Sequence, residues 1–167
     1  DPASLSGPFV QSGVSWMRRA DFRIITDTRE KLPYDFTTHR GPVDTEALET
    51  GDYSVEGFED VFAVERKSLS DLIRTVTWGR KNFEAELDRA NSLAEFVVVI
   101  EAYPDDLANH IEEYGRKVHP NSIFGSLKAW EKYQGVPFYW CGSRENAEQV
   151  TLDLLTEWHD TYGVSFS

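Results

Sequence analysis

Three acids stand where apolar, strand-like runs meet turns: Asp27 after Phe22–Thr26, Asp52 after Gly51, and Glu65 inside Val61–Lys67. Two or three carboxylates converging with open positions suit Mg2+ or Mn2+, hard ions that prefer oxygen ligands. Lys67 follows Glu65 by two residues, so both side chains project from one face of a strand. An ammonium beside such a carboxylate can stabilise charge developing on a phosphate oxygen, or position an attacking water. An acid-x-Lys on a strand, with a second acid after an upstream glycine, is the arrangement expected of a metal-dependent phosphodiesterase. Taken singly, each feature has a plainer reading. A Glu-x-Lys pair on a strand is more often a solvated pair, and Asp27-Thr28-Arg29-Glu30 is a polar loop. Gly51 permits a tight turn, and Asp71 is an acid favoured near a helix N-terminus.

Other chemistry is thinly represented. His39, His110, His119 and His159 show no metal-ligand spacing, and Cys141 follows a strand as a buried thiol. No Ser/His/Asp pattern and no glycine-rich phosphate loop is present. Trp78, Arg80 and Lys81 could offer an aromatic ring and two cations to a DNA strand; the competing reading is a helix-connecting turn packed by Trp78. Trp130, Phe138 and Trp140 read as core or dimer-surface residues.

The elements that must position these groups alternate in type. Phe22–Thr26 reads as a strand and residues 29–42, with Pro33, Gly41 and Pro42, as a loop. Val43–Leu48 is a weak strand, and Gly51-Asp52 opens another through Val55. Val61–Lys67 alternates strictly, Phe62 and Val64 facing one way and Ala63, Glu65 and Lys67 the other. Leu69, Leu72, Ile73 and Val76 recur at helical spacing behind Ser68, a candidate N-cap. Arg80–Leu93 is a second helix with Phe83, Leu87 and Ala90 on its stripe. Phe96–Glu101 is a continuous apolar run, the mark of a strand covered on both faces. Helices follow at Pro104–Tyr114 and Asn121–Tyr133, then a strand at Val136–Trp140. Ser143 caps a last helix to about Tyr162, with Ala147, Val150, Leu154 and Trp158 buried. Strands first, then strands alternating with helices, predict an α/β fold: a mixed, mostly parallel central sheet with helices on both faces.

Composition bounds the rest. The chain has 167 residues, 40% hydrophobic and 28% charged, which suits one globular domain and no membrane span. A single cysteine excludes an internal disulfide framework and fits a reducing compartment. Residues 1–16 have neither the basic start nor the apolar core of a signal peptide, so the expected location is intracellular. Residues 1–20 lack periodicity and read as an N-terminal segment outside the fold, disordered or added to the natural chain, with the domain at 21–167. The net charge of −12 weighs against a nucleic-acid binder. It is unevenly spread, however: residues 1–60 carry 12 acids against 6 bases, residues 104–167 carry 10 against 5, and residues 61–103 carry 7 against 6. The middle is nearly neutral, and local field governs how a substrate docks.

The full string sharpens the reading. Gly51-Asp52 followed by Glu65-Arg66-Lys67 and Asp71 spells G-D-x(12)-E-R-K-x(3)-D, and Asp27–Glu30 spells D-x-R-E. Both motifs, in order and at matching strand ends, resemble the nuclease domain of XPF-type structure-specific DNA endonucleases. Similarity extends through the Gly79-Arg80 step, the FVVVIE strand, Ser122–Trp130 and the VPFYW strand, over roughly residues 21–160.

The resemblance implies a restriction-endonuclease-like, PD-(D/E)XK core that hydrolyses DNA near a branch, flap or fork in repair or recombination. Mg2+ or Mn2+ would be held by Asp27, Asp52 and Glu65. Lys67 would be the active-site lysine, Arg66 and Asp71 would complete the catalytic set, and Arg29 and Glu30 would support it. It further implies a homodimer through the final helices and the 136–140 strand. Members usually carry a tandem helix-hairpin-helix module, which this sequence lacks after its last helix; with the acidic total, that implies weak, salt-dependent DNA binding or a DNA-binding partner protein. Location would be cytoplasmic in a prokaryotic or viral setting and nuclear in a eukaryote. Two other readings remain: a non-catalytic scaffold that pairs with a nuclease subunit, and a Holliday-junction or restriction-type nuclease on the same core.

Overall fold

The computed structural model describes residues 22–114 and 118–163; the expectation for residues 1–20 lies outside them. Six strands form one sheet: β1 (Ile24–Asp27), β2 (Val43–Glu46), β3 (Tyr53–Val55), β4 (Phe62–Lys67), β5 (Glu95–Ile100) and β6 (Phe138–Trp140). Their order is β2-β1-β3-β4-β5-β6. β1 runs parallel to β2, β4 to β5 and β5 to β6, while β3 lies antiparallel to both β1 and β4. The sheet is therefore mixed and mostly parallel, as the alternation of elements requires.

Five α-helices cover it: α1 (Leu69–Val76), α2 (Arg80–Ala90), α3 (Asp106–Tyr114), α4 (Pro120–Gln134) and α5 (Arg144–Trp158). One face packs Ala63, Val98 and Ile100 against α1, α2, α3 and α4 through residues such as Leu72, Leu87 and Trp130. The other face packs Phe62, Val64, Val97 and Val99 against α5 and against Tyr34 and Phe36 of the long β1–β2 loop. The strict alternation of β4 thus sorts its side chains as the sequence predicts, and β5 is buried on both faces.

Caps follow the sequence signals. Ser68 Oγ accepts from the Asp71 N–H at 3.2 Å and Ser143 Oγ from the Asn146 N–H at 3.1 Å, each satisfying a free helix-end donor. Several expected bounds shift, the helix expected from Pro104 starting at Asp106 and the strand expected from Val136 at Phe138. β1 starts at Ile24, two residues later than the apolar run. α2 stops at Ala90, because Ser92 and Leu93 close a turn on Arg89 and Ala90. The α-helical ladder of α5 ends at Trp158 and passes into a π-helical turn, His159–Gly163. Its buried stripe is Ala147, Thr151, Leu155 and Trp158, with Val150 and Leu154 only half-buried. The helix is rolled so that Thr151, which returns its hydroxyl to the Ala147 carbonyl at 2.7 Å, can face inward.

Candidate active site

The site forms where three adjacent strands end together. The Asp27 N–H donates to the Asp52 carbonyl at 2.8 Å, and the Asp52 N–H donates to the Val64 carbonyl at 2.9 Å. These bonds continue the β1–β3–β4 ladder past β3 and set Asp52 between the end of β1 and the second half of β4. Gly51 makes this possible. Its φ is +85°, and a Cβ there would stand 2.7 Å from Cβ of Ala63, so only glycine lets the chain turn this close to β4.

Asp52 and Glu65 are brought together as expected. Glu65 is 8% exposed and its carboxyl is in hydrogen-bond contact with Asp52. Lys67 Nζ lies 3.7 Å from Glu65 Oε1, on the same face of β4, and 5.1 Å above the Phe83 ring. Burial pushes Asp52 up to about 7, aided by the charge of Glu30 and opposed by the Arg66 N–H, which donates to Asp52 Oδ2 at 2.8 Å. Burial, and then the neighbouring charges of Asp52 and Glu86, push Glu65 well above the usual carboxylate range. Two carboxyls in contact in a dry place cannot both ionise cheaply without a cation between them.

Glu86 is a site residue that the motifs do not include. It reaches from α2 into hydrogen-bond contact with Glu65, and it lines a cleft of about 310 Å3 with Lys67, Asp71, Arg74, Asn82 and Arg89. The signal for it is an acid set inside an apolar helical stripe, Phe83–Glu86–Leu87–Ala90.

Asp27 is placed otherwise. It is 3% exposed, and both of its oxygens are engaged: Oδ1 accepts from the Leu48 N–H at 2.9 Å and Oδ2 from Arg29 Nε at 2.9 Å. Arg29 in turn donates to the Leu48 carbonyl. The structure therefore uses Asp27 and Arg29 to fasten the β2–β3 loop rather than joining Asp27 to Glu65. Asp71 stands on the cleft wall, paired with Arg74 at 3.4 Å. Among the described residues, no three acidic, histidine or cysteine side chains are gathered tightly enough to enclose an ion as they stand.

Arg66 points to the opposite face of β4 from Glu65 and Lys67. Its side chain is 8% exposed and donates to Glu101 Oε1 at 2.7 Å and to both oxygens of Glu30 at 3.3 Å. Burial opposes its charge, yet Glu30 and Glu101 outweigh burial and raise its pKa. Tyr34 Oη donates to Glu101 Oε2 at 2.7 Å, and Arg144 reaches the same oxygen at 3.4 Å while lying over the Tyr34 ring. Glu101, Tyr34 and Arg144 are further residues the motifs omit, although an acid closing an apolar strand is the same signal that singles out Asp27. Of the proposed DNA-contact residues, Arg80 is committed elsewhere, to Glu84 at 3.0 Å, Ser126 at 2.8 Å and the Trp130 ring. Trp78 is 71% exposed.

The mixed, mostly parallel sheet covered by helices has a restriction-endonuclease-like α/β fold. Residues 26–154 match the family model of the ERCC4 domain, and the chain belongs to that family, which comprises XPF-type nuclease domains. Among solved structures, XPF from Aeropyrum pernix superposes with a TM-score of 0.65 at 20% identity, covering 86% of this chain and 67% of that one. XPF from Aeropyrum pernix in complex with DNA gives 0.64 at 19% identity, covering 84% and 66%. The chain therefore spans about two thirds of the length of these structures. No curated protein matches the chain. Among the described residues, no helix is long and apolar enough to cross a membrane.

Proposed function

We propose that this protein is a Mg2+- or Mn2+-dependent DNA endonuclease that cuts a phosphodiester bond near a branch, flap or fork. The observation that carries the reading is the contact between half-buried Asp52 and buried Glu65, with Lys67 on the same strand face as Glu65. The donor set fits a hard cation: both groups are carboxylates, they touch, and each is pushed towards its protonated form in the absence of added positive charge. Mg2+ commonly binds through one or two carboxylates and keeps several waters, which matches two side chains rather than a closed cage. Such a cation supplies Lewis-acid stabilisation of the charge that builds on the phosphate when water attacks.

The chain's own residues have separable tasks. Asp52 and Glu65 would hold the ion, with the Arg66 N–H fixing the orientation of Asp52. Lys67 would place its ammonium against a phosphate oxygen, where burial beside Phe83 strengthens the attraction. Asp27 and Arg29 would support the site by fixing the loop that ends at Gly51, and Glu30, Arg66 and Glu101 by bracing β4 from behind. Glu86 and Asp71 line the wall along which the strand approaches.

Family membership supports DNA as the substrate, and the acidic total supports weak, salt-sensitive binding that a partner protein or a second subunit reinforces. A homodimer would use β6, the outer strand of the sheet, and α5 beside it. A repair or recombination role inside the cell accompanies this reading. The test is cleavage of labelled branched and linear DNA at low salt with Mg2+ or Mn2+, comparing wild type with Glu65→Gln. Metal-dependent cutting near the junction, lost in the variant, is expected. A folded wild type that cuts nothing overturns the enzyme and leaves a scaffold subunit. Sequence-specific duplex cutting indifferent to branches makes it a restriction-type enzyme.

A further inference from the structure

The turn between α1 and α2 holds Trp78 with its indole 71% exposed, so the residue does not pack the turn. The turn is closed without the indole: the Gly79 N–H donates to the Arg74 carbonyl at 2.8 Å, the Thr77 hydroxyl donates to the Ile73 carbonyl at 2.7 Å, and a Cβ on Gly79 would stand 3.2 Å from the Arg74 oxygen. Among the described residues, no ring, cation or hydrogen-bond partner holds the indole. Gly79, next in sequence, lines the same cleft as Lys67, Asp71 and Glu86, which places Trp78 at the rim of the candidate active site.

Charge on this surface is near neutral where the chain as a whole is acidic. Residues 66–91 carry Arg66, Lys67, Arg74, Arg80, Lys81 and Arg89 against four acids, a local excess of two positives in a protein of net charge −12. Arg66 faces the other side of β4 and Arg80 is paired with Glu84; Arg74, beside Asp71, and Arg89 line the cleft, and Lys81 is exposed one turn beyond Trp78. A bare indole amid exposed cations fits a strand that offers anions along its length and a flat π-face at each step. A single-stranded nucleic acid does both, whereas paired bases keep their faces covered by stacking.

We infer that Trp78 stacks on the base of an unpaired nucleotide beside the cut, so that this indole confers preference for substrates with a single-stranded arm. The inference rests on the nuclease reading for the position of the cut and deepens it. The phosphates flanking that nucleotide would be met by Arg74, Lys81 and Arg89, and base identity would matter little, since every base has a π-face.

The full chain would be titrated by fluorescence anisotropy against a labelled splayed-arm DNA and a fully paired duplex of equal length, with Ca2+ replacing Mg2+. Trp78→Ala should weaken splayed-arm binding about tenfold, as loss of one base–aromatic stack does, and change duplex binding less than about twofold. Trp78→Phe should keep most of the preference. Melting temperature reports folding, and the exposure of Trp78 predicts no change in either variant. Equal losses on the two DNAs, or no loss on either, overturn the inference, the latter pointing to a protein partner for the indole. Cutting is scored separately in Mg2+. Cutting without a Trp78-dependent preference leaves the nuclease and removes the stack; preference without cutting leaves the stack and removes the nuclease.

Discussion

Replacing Asp52 by asparagine should make the metal-free protein more stable while removing its ability to use metal. In the fold the carboxyl is pushed from its ordinary 3.8 up to about 7, chiefly because it is buried. An acid whose folded pKa is raised costs nothing below its unfolded pKa, where both states hold the proton, and its full penalty appears above the folded pKa. At about 1.36 kcal/mol per pH unit, the interval from 3.8 to about 7 is a penalty of about 4 kcal/mol at pH 8, shrinking to about 1 kcal/mol at pH 4.5. Asparagine escapes this penalty, in which the Arg66 N–H and Lys67 are already counted, but must desolvate its own amide at a cost of roughly 1–2 kcal/mol. The net gain at pH 8 is about 2 kcal/mol, or about 4–8 °C in melting temperature for a chain of this size. Calorimetry in EDTA at pH 8 and pH 4.5 reads it directly: the variant should melt higher at pH 8 and not at pH 4.5. Adding Mg2+ at about a hundred times its Kd should then raise wild type by about 2.7 kcal/mol and the variant by nothing comparable. A variant less stable than wild type at pH 8, or a gain that ignores pH, would refute the claim that Asp52 is held against its charge.

Other changes separate chemistry from architecture. Lys67→Met should leave the melting temperature within a few degrees yet slow cleavage at least about a hundredfold at saturating metal, as loss of a preorganised charge does. Arg66→Met should strand Glu30 without its cation and leave Glu101 only the more distant Arg144, costing about 3–5 kcal/mol, read as a lower urea midpoint with an unchanged slope. Gly51→Ala should cost more than about 2 kcal/mol, since it combines φ of +85° with a 2.7 Å approach to Ala63. Gly57→Ala shares a positive φ but meets nothing within 4 Å, and its smaller loss in the same urea series isolates the steric part.

Periodicity made much of this fold readable, and spacing made much of the site readable. The alternation of Phe62–Lys67 announced both a strand and the side to which each residue turns. The unbroken run Phe96–Ile100 announced a strand with helices above and below it. Two things were not local in sequence, and a third was local but hidden by residue type. Glu86 enters the site because α2 crosses the end of β4, a tertiary fact visible only as an acid in an apolar stripe. Asp27 has the position of a ligand, yet Leu48, twenty-one residues later, folds back to take its oxygen. The roll of α5 depends on the hydroxyl of Thr151 bonding within its own helix, which lets a polar residue pass as core.

The split of Glu65-Arg66-Lys67 across the two faces of β4 makes strand register itself a working part of the protein. Because side chains alternate with a period of two, a slip of β4 by one residue would swing Arg66 among the carboxylates and drive Glu65 and Lys67 into the pocket between Glu30 and Glu101. Neither side could then balance its charges, so the slipped pairing is penalised on both faces at once. The arginine turned away from Glu65 and Lys67 would thereby help to hold β4 in its register. An insertion of one residue within Phe62–Lys67 should be far less tolerated than one in the Glu56–Val61 turn, although the two sites are neighbours in the chain.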